Sequence, residues 1–140
     1  MTKKEIVLMA LAPAKSDHTP VQVQKSIFLI DRNISESIGG ERFNFVPYSY
    51  GPFDIDVYKT LEQLQEEGMV EINRGQDWKT YRLTAEGQEE GERLLQSIES
   101  SKRDYITAVS EFVQKLSFNA LVSAIYKAYP DMRVNSVFRD

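Results

Sequence analysis

Residues 43–54, Phe-Asn-Phe-Val-Pro-Tyr-Ser-Tyr-Gly-Pro-Phe-Asp, constrain this chain more than any other stretch. Phe43, Phe45 and Pro47 alternate with Asn44, Val46 and Tyr48, which is the period of a strand. Gly51-Pro52 stops a regular element and turns the chain. Asp54 then stands where an N-cap belongs, its carboxylate ready to accept from the first N–H groups of a helix. That helix is expected from Ile55 to about Glu67, and Gly68 suits the left-handed residue that ends it. Strand, turn, helix and then a hairpin is the order of a winged helix. The expected fold is therefore mostly α (α+β), a winged-helix-like domain with a small antiparallel β-hairpin wing and additional C-terminal helices.

Composition narrows the chemistry. At 140 residues one domain is expected, spanning 1–140, with 101–130 a helical extension packed on it. The absence of cysteine excludes disulfides and thiolate metal sites, and His18 is the only histidine. A zinc site would be mostly carboxylate, a poor match to the usual nitrogen and sulfur ligands, so no metal or cofactor is expected. The apolar run Ile6 to Leu11 is too short to span a bilayer and no convincing cleavage site follows, which predicts a cytoplasmic protein with no membrane contact. The net charge of −4 is the opposite of the basic surplus usual in a dedicated DNA-binding domain.

Taken in order, Lys3 to Ala12 reads as a short helix ended by Pro13. Thr19 and Gln22 form a capping box, and Pro20 falls at the first helical position. Val23, Ile27, Ile30 and Ile34 then make a stripe that Phe28 and Leu29 widen. In the helix from Ile55, Val57, Leu61 and Leu64 face inward, flanked by Tyr58. Met69–Arg74 and Trp78–Leu83 are strand-like around Gly75-Gln76-Asp77, a hairpin in which Val70 and Ile72 face one way, as do Tyr81 and Leu83. Thr84 caps the next helix. Ser101 is expected to cap another with Asp104 at its third position, and a last helix runs from about Phe118 to Tyr129. The tail from Asp131 shows no periodicity.

Val23-Gln-Lys25, followed by apolar residues, resembles the Leu-Gln-Lys helix of Panacea-type (SocA-like, phage-associated) antitoxin domains. Tyr50-Gly-Pro-Phe-Asp-Ile-Asp-Val-Tyr58 resembles their Tyr-Gly-Pro turn and the helix after it. The chain is closer still to the related YwgA-like group of uncharacterised prokaryotic proteins, sharing Tyr-x-Leu-Thr-x-x-Gly at Tyr81–Gly87 and a late Tyr-Pro followed by Val-Asn-Ser at Tyr129–Ser136. The resemblance implies a helical domain with a small wing and a role in regulation or phage defence. Where the Panacea turn continues with two apolar residues and Pro-Glu, this chain has Phe53-Asp-Ile-Asp56.

Three groups of residues are candidates for binding. Tyr48, Tyr50 and Phe53, around Gly51, Pro52 and Asp54, either form an aromatic recognition surface or cement the turn onto the core, and the structural role is the simpler one. Arg74, Gln76, Trp78, Lys79 and Arg82 make a basic, aromatic wing suited to phosphate and sugar, or an ordinary solvated hairpin. The helix after Asp54 exposes Asp56, Lys59, Glu62, Gln63, Glu66 and Glu67. In a DNA-reading winged helix it would enter a groove lined with phosphate, which repels carboxylates. The same acids could steer a basic protein partner, or simply meet solvent.

No nucleophile, phosphate loop or metal spacing marks an enzyme. The function expected is a non-enzymatic regulatory or phage-defence-associated module that binds a protein partner, a toxin or defence effector, in an antitoxin or adaptor-like manner. The alternative is a dimeric DNA-binding transcriptional regulator. Apolar stripes at Tyr105, Val109, Phe112 and Leu116 and at Leu121, Val122, Ile125 and Tyr126, widened by Ile106, Val113 and Tyr129, further suggest a homodimer through the C-terminal helices.

Overall fold

A computed structural model describes residues 1–75 and 77–138. The described chain is mostly helical, with six α-helices and two antiparallel sheets of two strands each. Helix α1 (Lys3–Leu11) opens with a capping box between Thr2 and Glu5, and every residue from Ile6 to Leu11 is buried. A helix apolar all round belongs inside a domain, and α1 packs against α2 (Pro20–Asn33), α3 (Ile55–Glu66), α4 (Ala85–Gln96) and α5 (Ser100–Lys115). The Thr19–Gln22 capping box and Pro20 start α2 as the sequence requires. Asp54 caps α3 through its side chain.

Helix α4 approaches its neighbours through two glycines. A Cβ on Gly87 would stand 1.9 Å from the Met69 carbonyl oxygen, and one on Gly91 would stand 2.6 Å from that of Leu8. Both separations are far inside van der Waals contact, so only glycine admits this packing.

β3 (Val70–Arg74) and β4 (Lys79–Leu83) form the expected hairpin, and its register sets Val70 opposite Leu83 and Ile72 opposite Tyr81. The region before α3 differs from expectation. Its strand is only Val46–Tyr48 (β1), and Gly51-Pro52 does not stop the element but begins its partner, Gly51–Phe53 (β2). The reversal falls at Ser49 and Tyr50, enabled by a φ of 106° at Gly51. Phe43 to Phe45 form no strand because carboxylates hold that stretch instead. Asp31 accepts from the N–H groups of Arg42 (2.8 Å) and Phe43 (3.2 Å), and Asp54 from that of Asn44 (2.7 Å).

One further expectation is corrected. Ser101 is not a cap: α5 starts at Ser100 after Glu99, with no side-chain cap bond. The Arg103 guanidinium reaches back to the carbonyls of Leu95 and Ile98, so a tertiary contact fixes this start. Much of the apolar surface of the C-terminal helices packs within the chain, while Tyr105, Leu116 and Tyr129 stay half-buried. Ile106, Val109 and Val113 of α5 and Leu121, Val122, Ile125 and Tyr126 of α6 (Phe118–Ala128) are all buried, Val109, Val113, Leu121 and Ile125 in one cluster with Phe28 and Leu29 of α2. The tail covers more of this surface, with Met132 and Phe138 buried and Val137 N–H donating to the Ser49 carbonyl at 3.0 Å. Of the large hydrophobic residues on α5 and α6, Phe112 and Phe118 remain exposed.

Candidate functional site

The Gln24-Lys25 pair of α2 and the turn before α3 lie thirty residues apart in sequence and meet in space. Gln24 clamps the backbone of Asp54 at both ends, accepting from its N–H at 3.1 Å and donating to its carbonyl at 3.0 Å. Lys25 extends alongside and its Nζ donates to the Pro52 carbonyl at 3.2 Å. Asp54 completes the seam, with one oxygen taking the Asn44 N–H and the other the Asp56 N–H. Gly51 belongs to the same place: its φ of 106° favours glycine, and a Cβ there would lie in van der Waals contact with Lys25 Cε at 3.4 Å.

This seam floors a groove of about 660 Å³. Its walls come from the start of α2 (Thr19 to Lys25), the β1–β2 hairpin, Tyr58, Trp78 and the junction of α5 with α6. Tyr48 stacks on Phe53 with ring centroids 5.0 Å apart, and Tyr50 meets Phe118 edge to face at 5.1 Å. Trp78 is 61% exposed and Tyr48 55%, a large apolar area left open to solvent. Among the described residues, Lys25 is the only Lys, Arg, Asp or Glu in the lining. Burial lowers its pKa from the ordinary 10.5 to about 7, because desolvation disfavours the ammonium form.

The charged candidates are arranged differently. Asp56 pairs with Lys3 and Glu67 with Lys4, both cations coming from α1. Glu62 meets Arg74 at 3.0 Å and Lys79 at 3.5 Å, and Arg82 pairs with Glu71 at 2.6 Å. Glu62 thus ties the acidic helix to the hairpin, Asp56 and Glu67 tie it to α1, and the Arg82–Glu71 pair is closed within the hairpin itself. Lys59, Gln63 and Glu66 are exposed beside it, and Gln76 lies outside the described residues.

His18 follows the polar stretch Lys15-Ser16-Asp17 yet does not face solvent. It is buried and exchanges backbone bonds of 2.9 Å with Tyr81, adding a residue to the edge of the hairpin. Burial lowers its pKa to about 4, so the ring is neutral. Among the described residues, no cluster of three His, Cys, Asp or Glu side chains could hold a metal ion, and no helix is long and apolar enough to cross a membrane.

Of the turn residues singled out from sequence, Tyr48, Tyr50, Gly51 and Phe53 line the groove, whereas Pro52 and Asp54 form part of its supporting seam. Trp78 joins them from the hairpin, but Arg74, Lys79 and Arg82 do not. Lys25 and Phe118 went unrecognised. A polar Gln-Lys pair inside the apolar run of α2 was the available signal for Lys25. The chain matches no model of a known protein family, and no curated protein matches it significantly.

Proposed function

We propose that this chain is a non-enzymatic regulatory module of winged-helix type that docks a protein partner, in an antitoxin or adaptor-like manner, at the aromatic groove beside the Gly-Pro turn. Three packed helices followed by a hairpin support the winged-helix description. The observation that carries the docking reading is the concentration of exposed Tyr48, Tyr50, Trp78 and Phe118 around one concave surface. Aromatic side chains of this kind are enriched at interface centres, where large rigid rings bury area at little entropic cost. The α3 acids have less claim to the role, since Asp56, Glu62 and Glu67 already face cations of the same chain.

Site-specific photo-crosslinking in cells tests the reading. A benzoylphenylalanine replacing Trp78 should crosslink to the product of an adjacent gene, and the adduct should disappear when Phe118→Ala is added. The same probe replacing Gln63 on α3 should give no adduct. Crosslinks from Gln63 alone would move the docking face to the acidic helix, and none from either position would defeat the proposal.

A further inference from the structure

The floor of the groove has a property that an apolar docking surface does not need. Lys25 is buried there, and among the described residues no carboxylate lies within ion-pair distance of it. A lysine ammonium carries three donors, yet among the described residues the Pro52 carbonyl is the single acceptor it meets. The titratable groups packed nearest are otherwise engaged or neutral. Asp54 gives its oxygens to the N–H groups of Asn44 and Asp56, and the Tyr126 hydroxyl donates to Ser136 at 2.6 Å. Burial keeps Tyr58 protonated, and Tyr48 and Tyr50 sit at the exposed rim. The missing side chain of Gly51, where a Cβ would stand 3.5 Å from Nζ, leaves the amine open toward the groove.

A buried cation without an anion is costly unless something supplies one. The surrounding volume of about 660 Å³ lies within the range of sites that hold one small molecule, roughly 300–1,000 Å³. We propose that the groove binds a small apolar monocarboxylate, its carboxylate meeting Lys25 and its hydrocarbon or aromatic body lying against Val21, Leu116 and Leu121. The charge matches, the free donors of the amine match the acceptors of a carboxylate, and the apolar walls match the rest of such a ligand. This goes beyond the docking reading and does not require it, because the ligand is taken up by the isolated chain.

The test uses the full chain and a matched pair of probes, 4-phenylbutyrate and 4-phenylbutyramide, followed by calorimetry and by amide chemical shifts. The acid should bind saturably, with shifts at residues 19–25 and 48–53, and at least tenfold more tightly than the amide. Lys25→Met should remove that preference, leaving acid and amide equal, while its circular dichroism and melting profile report a folded chain. Should that variant fail to fold, the unaltered protein still decides. Its affinity for the acid should fall as pH rises from 6 to 9, since the amine must hold its proton to pair, whereas affinity for the amide should stay level. Equal binding of acid and amide, as expected of a groove that accepts any apolar segment of a partner, overturns the proposal. So does the absence of acid binding at millimolar concentration, or an acid affinity indifferent to pH.

Discussion

Two polar regions flank α3, and they are held together on opposite principles. On the outer side, Asp56, Glu62 and Glu67 meet lysines and an arginine from α1 and the hairpin, charge against charge, in side chains between about a third and a half exposed. On the inner side, Gln24, Lys25 and Asp54 satisfy backbone N–H and carbonyl groups in a buried seam, where among the described residues no anion pairs with the one cation. Water competes for every contact of the outer network, so its members can exchange partners at little cost. The inner seam has no such alternative, and each group removed there leaves another unsatisfied. Abundant charge therefore marks the permissive side of the helix, and scarce charge marks the side where a ligand would matter.

The largest expected effect comes from titrating the inner side. The pKa of Lys25 is about 7 in the folded protein against 10.5 for an ordinary lysine. Below pH 7 both folded and unfolded states carry the proton, and the full desolvation cost is present. Between pH 7 and 10.5 the unfolded state binds the proton and the folded state does not, so stability rises with pH by up to about 1.4 kcal/mol per unit. Urea unfolding at pH 7.0 and 9.5 should show the wild-type chain gaining about 3 kcal/mol relative to Lys25→Met. The upper limit stays below pH 10 because Tyr81, its pKa pushed up to about 12 by burial, introduces the opposite slope above that point. Parallel curves for the two proteins would mean that Lys25 is solvated after all, and the contrast between the two sides would collapse.

Next is Gln24→Ala, which strips both backbone groups of Asp54 of their buried partners. With each orphaned group costing about 1–3 kcal/mol, a loss of roughly 2–4 kcal/mol is expected in denaturant melts at constant m-value. A loss under 1 kcal/mol would place water in the seam and make it resemble the outer face.

These contrasts also explain what the sequence disclosed. The Thr19–Gln22 box and the Asp54 cap are set by residues within a few positions of each other, and the β3–β4 hairpin by two alternating runs around one short turn, so local spacing reveals them. The inner seam depends on Gln24 reaching Asp54 and Lys25 reaching Pro52, across a separation that no periodicity reports. The same holds for His18, whose polar neighbours disguised a backbone pairing with Tyr81 on a distant strand. Gly87 and Gly91 stood visibly four apart in a polar helix, a spacing that places both on one face, but the identity of the carbonyls pressing on them is tertiary. The acidic run of α3 was legible as charge and illegible as a network, because its cations come from α1 and from the hairpin.

Gly51→Ala tests the geometry that joins the two regions. Its φ of 106° lies where a side chain is strained, and the added methyl would come into contact with Lys25 as well. A cost of about 1–2 kcal/mol is expected, read as a lowered urea midpoint. The accompanying Lys25→Met, Gly51→Ala double variant should recover part of that cost, since a thioether bends away more readily than an ammonium held to Pro52. Strict additivity would assign the whole penalty to the backbone and none to the lysine.

The smallest effect belongs to the outer face, and it is the one that a reading of charge alone would overestimate. Glu62 contacts two cations, Arg74 at 3.0 Å and Lys79 at 3.5 Å, so Glu62→Gln breaks more ion pairs than any other single change on α3. All three side chains are between about two-fifths and half exposed, and water replaces what the carboxylate supplied. The expected destabilisation is under about 1 kcal/mol at low salt, and it should vanish near 1 M sodium chloride, where the screening length falls to about 3 Å. The Gln24→Ala loss, by contrast, should persist at that salt, because no mobile ion reaches the seam. A Glu62→Gln effect that equals the seam variant and survives high salt would show that the outer network is rigid and desolvated. The acidic face of α3, rather than the groove, would then deserve priority as the surface that meets a partner.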